Sequence, residues 1–184
     1  CGTGKVNAAI CTQILADRYK VDSVINTGVA GSLNSDIDIC DIVISKDAIE
    51  HDMDVTALGY ERGVIPDMDN SVFHSDSRLF DVAVKSIEEA NLSVKVFTGR
   101  VVSGDQFIAG KEKKDDLVNT FAGDCAEMEG ASIAHAAYVN NIPCLIIRAI
   151  SDKADGSAEM DYPTFEKKAA ANSIKILKQL IKNL

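Results

Sequence analysis

A chain of 184 residues with a net charge of −9 is about the size of one large domain and too acidic to follow nucleic-acid phosphates. Apolar residues make up 46% of the sequence and charged residues 26%, a balance that supports a sizeable core and argues against disorder. No apolar run approaches the roughly 20 residues of a membrane-spanning helix and no signal peptide is visible, so a cytoplasmic protein is the default expectation.

Cysteine and histidine usage bears on redox compartment and metal binding. The five cysteines are odd in number and widely spaced, with no CxxC pair, which argues against a disulfide framework or zinc site and for a reducing compartment. The chain has three histidines, and no spacing joins them to the run His51-Asp52-Met53-Asp54 as a ligand set. We therefore expect no metal.

Apolar periodicity divides the chain into helices and strands. Residues 52–75 show no long period and contain Gly59, Gly63 and Pro66, which predicts an extended excursion. In chain order the pattern predicts a helix over 4–18, a strand over 23–26 with a glycine-rich turn over 27–31, a strand over 41–45 continuing toward 51, the excursion, a helix over 79–90, a strand over 94–102, a helix over 113–121, a strand end over 124–128, a helix over 129–138, a strand over 143–150 and a helix from about 163.

The order of these elements indicates the fold class. Strands alternate with helices, and several strands are continuous apolar runs rather than alternating patterns, which is typical of a parallel sheet covered on both faces. No repeat or low-complexity linker divides the sequence. We expect an α/β fold with a mixed, largely parallel central sheet flanked by helices, in a single domain over residues 1–184.

Polar and glycine-bearing motifs follow four of the predicted strands. Ligands of α/β proteins collect at the carboxyl ends of the strands, so these four motifs are expected to converge on one pocket for a polar small molecule. The motifs are GVAG at 28–31, SGDQFI at 103–108, EME at 127–129 and RAISD at 148–152.

Each motif also has a purely structural explanation. A glycine-rich turn often supplies only backbone freedom. Glu127 and Glu129 are placed to serve as N-terminal helix caps, and Asp152 is placed to cap a following turn. Structural alternatives exist for three further residues as well: core packing for Phe107, helix-start packing for Tyr162 and pairing with a carboxylate for Arg148.

Taken together, the motifs resemble the nucleoside phosphorylase superfamily over essentially all 184 residues. The resemblance rests on NTGVAG at 26–31, SGDQFI at 103–108, AEMEG at 126–130 and RAISD at 148–152, in this order. The run HDMDVTALGY at 51–60 narrows the resemblance to the nucleosidases that act on 5′-methylthioadenosine and S-adenosylhomocysteine. This resemblance implies a nucleoside phosphorylase-like fold, hydrolysis of the N-glycosidic bond of adenine nucleosides, and no cofactor.

The resemblance also implies roles for individual residues. Asp152 would protonate N7 of adenine, which lets the base leave neutral, and a pKa raised by burial would suit that task. Ser151 would orient this site. Glu129 would bind the ribose hydroxyls and stabilise an oxocarbenium-like sugar. The remaining implied contacts are Met128 on the ribose, Phe107 stacked on adenine with the Ile108 backbone at its edge, Tyr162 over the purine where relatives have phenylalanine, Glu127 and Arg148 flanking the site, and the turn at Val29, Ala30 and Gly31.

The resemblance further implies a homodimer, in which the excursion of each subunit reaches the site of the other. The positions that would line the pocket for the methylthio or homocysteine tail are Val55, Leu58, Tyr60 and Pro66. A monomer would leave Leu58 and Tyr60 exposed without reason.

The residues at positions 26 and 29 favour hydrolysis over phosphorolysis. Related phosphorylases of the bacterial hexameric branch hold phosphate with an arginine and a serine, where this chain has Asn26 and Val29. Neither side chain holds a dianion, which favours water as the nucleophile. Val29 also departs from the serine of many relatives. A phosphate-dependent phosphorylase and a non-catalytic adenine-nucleoside binder are the alternatives.

The sequence opens on Cys1-Gly2-Thr3-Gly4-Lys5, which looks like a loop inside a domain that leads into a helix. The family begins with a strand and a glutamate that positions the attacking water, so we expect a segment to precede residue 1. On the same resemblance, residues 1–184 alone are expected to be nearly inactive.

Overall fold

Strands and helices alternate through most of the chain, as the periodicity predicted. The computed structural model describes the backbone of residues 1–184 and every side chain except that of Met160. The strands are β1 Val24–Ser32, β2 Ile42–Glu50, β3 Phe73–His74, β4 Val96–Ser103, β5 Cys125–Glu127 and β6 Cys144–Asp152. The α-helices are α1 Lys5–Ile14, α2 Ser77–Glu89, α3 Lys111–Phe121, α4 Gly130–Val139 and α5 Ala158–Asn183, and α1 continues into a π-helical stretch, Leu15–Tyr19.

The sheet is mixed and closes on itself. Its strand order is β3-β2-β4-β5-β1-β6, and β6 pairs back onto β2. The long pairings β1–β6 and β2–β4 are parallel, whereas the β1–β5, β2–β6 and β2–β3 pairings are short and antiparallel. The predicted mixed α/β architecture is therefore confirmed, and the closure is new. No local sequence pattern predicts this closure, because β2 and β6 are far apart in sequence.

Helices pack on both faces of the sheet, so neighbouring residues of one strand contact different helices. Ile42 and Ile44 of β2 lie in an apolar cluster with Leu180 of α5 and with helix α2. Val43, between them, lies in a second cluster with Ala134 of α4. Successive side chains of a strand point to opposite faces, so the apolar run of β2 serves both clusters at once.

The glycine-rich segment after the first predicted strand is not a turn. Residues 27–31 belong to β1, whose backbone pairs in parallel with β6 as far as Gly31 and Asp152. Neither Gly28 nor Gly31 has a positive φ. A Cβ at Gly28 would come 2.9 Å from Nη1 of Arg148, and one at Gly31 would come 2.6 Å from Oδ1 of Asp152. These glycines leave room for neighbouring side chains, a requirement that the sequence alone does not reveal.

The last helix begins earlier than predicted. It starts at Ala158 rather than near Pro163, so Pro163 stands inside the helix and Tyr162 lies more than a turn from its start. The side chain of Asp155 accepts hydrogen bonds from the backbone N–H and the hydroxyl of Ser157, at 2.9 and 2.8 Å, and orders the chain just before the helix. This turn directly precedes Ala158, and the helix starts there rather than near Pro163.

The excursion over residues 52–75 is confirmed as largely irregular. It contains one 3₁₀ turn, Thr56–Leu58, and the two-residue strand β3 near its end, which the sequence analysis missed. Strand β3 pairs with β2 at Asp47 and Ala48. None of the helices in the described part of the chain has both the length and the apolar content needed to cross a bilayer.

Neighbouring residues of α5 offer a matched test of this packing. Leu180 is fully buried in the cluster that joins α5 to the sheet, whereas Ile181 is exposed. We expect Leu180→Ala to lower the free energy of unfolding by about 2–5 kcal/mol, because the truncation leaves a cavity. Ile181→Ala should change it little. Urea unfolding followed by circular dichroism measures both, and equal effects would contradict the packing described.

Candidate active site

A cavity of about 180 Å³ opens beside the ends of β1, β5 and β6. A smaller recess of about 30 Å³ adjoins it and shares Gly31, Phe107, Met128 and Asp152 among its lining residues. The residues lining the main cavity are Thr3, Val29, Ala30, Gly31, Phe107, Ala126, Glu127, Met128, Glu129, Ser151, Asp152 and Tyr162.

The structure brings together nearly all the residues predicted for the chain's own pocket. All of them except Arg148 line the cavity or, like Ile108, the recess. Arg148 lies behind the cavity wall, 1% exposed. Thr3, which lies between Gly2 and Gly4, also lines the cavity and was not predicted from the sequence. Both glycines have a positive φ near 90°, and this pair of glycines was the available signal.

Asp152 ends β6 with its carboxylate largely buried. Its Oδ2 accepts a hydrogen bond from the Ser151 hydroxyl at 2.8 Å, and its Oδ1 accepts the backbone N–H of Ala154 at 2.8 Å. Burial raises the pKa of Asp152 above its ordinary value, and the charges of Asp161 and Asp155 add to this, although the two hydrogen bonds oppose it. The predicted turn cap is present as well. Asp152 therefore retains a proton to higher pH than an ordinary aspartate.

Glu127 is a buried anion held in place from several directions. It accepts backbone N–H groups of Glu129 and Gly130 at 2.8–3.0 Å, so it caps the N-terminus of α4. Nη2 of Arg148 lies 2.5 Å from it, and the Ser103 hydroxyl also donates to it. Burial alone would raise the pKa of Glu127, but Arg148 and these hydrogen bonds outweigh burial and lower it. Both structural alternatives, the cap and the ion pair, are present.

Glu129 differs from Glu127 in exposure and in the direction of its pKa shift. It is half-buried at the cavity wall, and its Oε1 accepts the backbone N–H of Gly4 at 2.8 Å. Burial raises the pKa of Glu129, and the nearby negative charge of Glu127 adds to this, whereas the Gly4 N–H and Arg148 oppose it. The cavity thus holds one carboxylate with a lowered pKa beside two with raised pKa values.

Two aromatic rings form another part of the wall. Phe107 and Tyr162 meet edge to face, with ring centroids 5.7 Å apart and planes at 78°. Phe107 is 50% exposed, so it is not plain core. An apolar ring edge and face beside a set of carboxylates suits a planar, polar heterocycle.

The residues predicted to serve a partner subunit lie away from this cavity. Leu58 is 74% exposed and Tyr60 is 43% exposed, while Val55 and Pro66 are half-buried in the excursion. None of the four is among the residues that line the cavity of their own chain. All five cysteines are free, and the described residues include no cluster of three His, Cys, Asp or Glu side chains placed to hold a metal ion.

The chain belongs to the phosphorylase superfamily, whose family model matches residues 1–182. Within it, the chain belongs to the family of 5′-methylthioadenosine/S-adenosylhomocysteine nucleosidases. Such a nucleosidase from Staphylococcus aureus (strain JH9) is 41% identical over 184 residues, which is 100% of this chain and 79% of the relative.

Solved structures agree with this assignment. The nucleosidase of Neisseria meningitidis in complex with methylthio-immucillin-A has a TM-score of 0.95 and 38% identity, covering 100% of this chain and 79% of that one. The futalosine hydrolase of Helicobacter pylori strain 26695 has a TM-score of 0.94 and 34% identity, covering 99% and 77%. The fold is thus shared with a 5′-methylthioadenosine/S-adenosylhomocysteine nucleosidase and with a futalosine hydrolase.

The buried ion pair behind the cavity predicts a large effect on stability. We expect Arg148→Met to lower the free energy of unfolding by about 3–5 kcal/mol, because Glu127 would be left as an unpaired buried charge. The double variant Arg148→Met/Glu127→Gln should recover part of this loss. Denaturant unfolding of both variants measures the coupling. A double variant no more stable than the single one would contradict the assignment of the loss to Glu127.

Proposed function

We propose that this protein hydrolyses the N-glycosidic bond of 5′-methylthioadenosine and S-adenosylhomocysteine, releasing adenine and the thio-ribose. One observation carries the proposal beyond family membership. The charged side chains that line the cavity are three carboxylates, Glu127, Glu129 and Asp152, and they stand beside two aromatic rings. Such a lining suits a substrate whose sugar becomes positively charged while its base takes up a proton.

In this proposal Asp152 is the general acid. Its raised pKa lets it keep a proton to higher pH than an ordinary aspartate, and the Ser151 hydroxyl, 2.8 Å from Oδ2, holds the carboxyl group in one orientation. Transfer of the proton to N7 of adenine draws electrons from the glycosidic bond, so the base leaves as neutral adenine. Phe107 and Tyr162 would hold the ring, with the backbones of Ala30 and Ile108 at its edges.

Glu129 and Glu127 act on the sugar in different ways. Glu129 borders the cavity with one oxygen fixed by Gly4, which leaves the other available for the ribose hydroxyls. Met128, between the two glutamates, lies against the sugar. Glu127 stays ionised because of Arg148, and its fixed negative charge favours an oxocarbenium-like transition state.

The same charges favour water over phosphate as the nucleophile. A phosphate dianion would enter a cavity lined by three carboxylates. The nearby guanidinium of Arg148 is already bonded to Glu127 and to the Asn26 side chain, behind the wall. Val29, which lines the cavity, offers no hydrogen bond from its side chain. Hydrolysis therefore fits this site better than phosphorolysis.

We further propose that the protein acts as a homodimer. One face of α1 carries the exposed apolar residues Val6, Ile10 and Ile14, and the excursion exposes Leu58 and Tyr60. Apolar groups that cluster on a surface in this way mark an interface. In the dimer, the apolar side chains of each excursion would close the other subunit's pocket around the 5′ substituent; they are Val55, Leu58, Tyr60 and Pro66.

We also propose a domain organisation and a cellular location for the protein. Residues 1–184 would act as one domain, since β6, late in the chain, pairs with both β1 and β2 near its beginning. The five free cysteines fit a reducing compartment, so we place the activity in the cytoplasm.

Adenine release from 5′-methylthioadenosine, with and without phosphate, tests the reaction. We expect phosphate-independent release by the full-length protein and a loss of at least about 100-fold in its Asp152→Asn variant, since an amide cannot donate the proton. Asp115→Asn, which removes a carboxylate on the exposed side of α3, is the control and should keep full activity. Release only with phosphate would indicate a phosphorylase, and adenine binding without release would indicate a binder.

The subunit arrangement predicts a change in substrate preference. Leu58→Ser should raise KM for 5′-methylthioadenosine roughly tenfold, as expected for about 1.4 kcal/mol of lost apolar contact, and should leave KM for adenosine nearly unchanged. Leu184→Ser alters a comparably exposed leucine at the C-terminus and should change neither value. Sedimentation equilibrium gives the subunit number directly. A monomer, or equal effects on both substrates, would contradict the arrangement.

A further inference from the structure

Lys5, Asp52 and Asp105 form a closed set of hydrogen bonds that lies just outside the cavity. Nζ of Lys5 donates to Oδ1 of Asp52 at 2.7 Å, and the backbone N–H of Lys5 donates to Oδ1 of Asp105 at 2.8 Å. The backbone N–H of Asp105 completes the set by donating to Oδ2 of Asp52 at 2.9 Å. We call these three residues the Lys5 clamp. Each is bonded to the other two, so none can move alone.

The Lys5 clamp joins three segments that are distant in sequence. Lys5 opens α1, Asp52 follows β2, and Asp105 follows β4. Two cavity-lining residues, Thr3 and Phe107, are each two positions from a clamp residue. The clamp therefore determines how far apart these two parts of the cavity wall stand.

The clamp also controls the contact made by Glu129. Gly4 directly precedes Lys5, and its N–H donates to Oε1 of Glu129 at 2.8 Å. The carbonyl oxygen of Lys5 accepts the hydroxyl of Ser132 at 2.7 Å, and Ser132 belongs to α4, the helix that Glu129 precedes. The start of α1 is thus fastened on one side to Asp105 and on the other to α4, with Gly4 held between them.

Two glycines make this close approach sterically possible. A Cβ on Gly4, whose φ is +92°, would come 2.9 Å from Oδ1 of Asp105. A Cβ on Gly104 would come 2.5 Å from the ring of His51 and 3.0 Å from Cγ of Asp52. Larger residues at either position would force the segments apart, so the backbone geometry and the clamp support each other.

The charges of Lys5 and Asp52 stabilise each other. Burial lowers the pKa of Lys5, but Asp52 and Glu50 more than compensate, and the net pKa is raised. Glu50, 2.9 Å from Nζ of Lys5, is itself bonded to Nδ1 of His135. The Lys5 side chain is 19% exposed and that of Asp52 16%, so solvent screens this pair less than a surface ion pair.

We infer that Lys5, Asp52 and Asp105 are positioning residues for the reaction, holding the Gly4 N–H on Glu129 and the Thr3 and Phe107 walls at their working separation. This inference rests on the proposed nucleosidase function. Loss of the clamp frees the start of α1, so Glu129 loses its orientation. Displacements of about 1 Å cost up to roughly 100-fold in rate, whereas adenine would keep its proposed contacts with Asp152 and Tyr162, which lie outside the clamp.

Activity measurements on Lys5→Met and Asp52→Asn test the inference. In the full-length protein we expect kcat for 5′-methylthioadenosine to fall about 10- to 100-fold, and the Kd for adenine, measured by titration calorimetry, to change by a smaller factor. Lys5→Arg, which keeps the cation, should recover most of the rate. Asp47→Asn is the matched control. It breaks the partly buried Asp47–Arg100 pair, 2.6 Å long between β2 and β4, and should lower stability without lowering kcat.

A second measurement is independent of turnover. The carboxyl group of Glu129 faces Glu127, Arg148, Tyr162 and the Gly4 N–H, and the last of these lowers its pKa. In Lys5→Met the pKa of Glu129, followed by carbon NMR, should therefore rise above that of the unaltered protein, whereas in Asp47→Asn it should not.

The outcomes separate the two hypotheses. Unaltered kcat in Lys5→Met, a rate loss that follows stability equally in Asp47→Asn, or an unmoved pKa of Glu129 would each overturn the clamp. No adenine release by the unaltered full-length protein would instead refute the proposed function, and the pKa of Glu129 would still decide whether the clamp holds that side chain.

Discussion

The ion pair between Glu127 and Arg148 lies where β1, β4, β5, β6 and α4 meet, and the local geometry follows from it. Arg148 reaches Asn26 on β1, while Glu127 takes the hydroxyl of Ser103 on β4 and caps α4. Glycines at 28 and 130 leave the space that this pair occupies, since a Cβ at either would come within 3.1 Å of it. A buried charge pair of this kind is retained only when its remaining hydrogen-bonding groups are satisfied, and most of them are.

This ion pair also helps to give the carboxylates of the cavity different pKa values. Arg148 lowers the pKa of Glu127, and the resulting negative charge helps to raise that of Glu129. Among the described residues no cation is bonded to Asp152, so burial dominates and its pKa rises. One wall therefore carries a fixed negative charge, whereas the Asp152 carboxyl group keeps its proton to higher pH than an ordinary aspartate. Separation of pKa values by environment is the general way in which a site obtains both from carboxyl groups.

The loops that form the cavity walls are held in place by hydrogen bonds to neighbouring elements. Thr3 and Phe107 stand on loops, and loops hold a precise geometry only when their backbones are bonded to rigid elements. The Lys5 clamp provides such bonds on the side of α1, and Asp155 provides them at the start of α5, which carries Tyr162. The exposed apolar face of α1 adjoins the same loop, so association with a second subunit would further restrain it.

The sequence by itself determined the helices and most strands, the α/β class and the residues of the cavity from Val29 to Asp152, because these follow from local periodicity and from motifs at strand ends. Tertiary structure alone decided the rest. Closure of the sheet, the inclusion of Gly28 and Gly31 in β1, the withdrawal of Arg148 behind the wall and the arrival of Thr3 at the cavity all depend on contacts between distant segments. Such contacts depend on the space and the charges around each residue in the folded chain, so the spacing of residues in the sequence does not predict them.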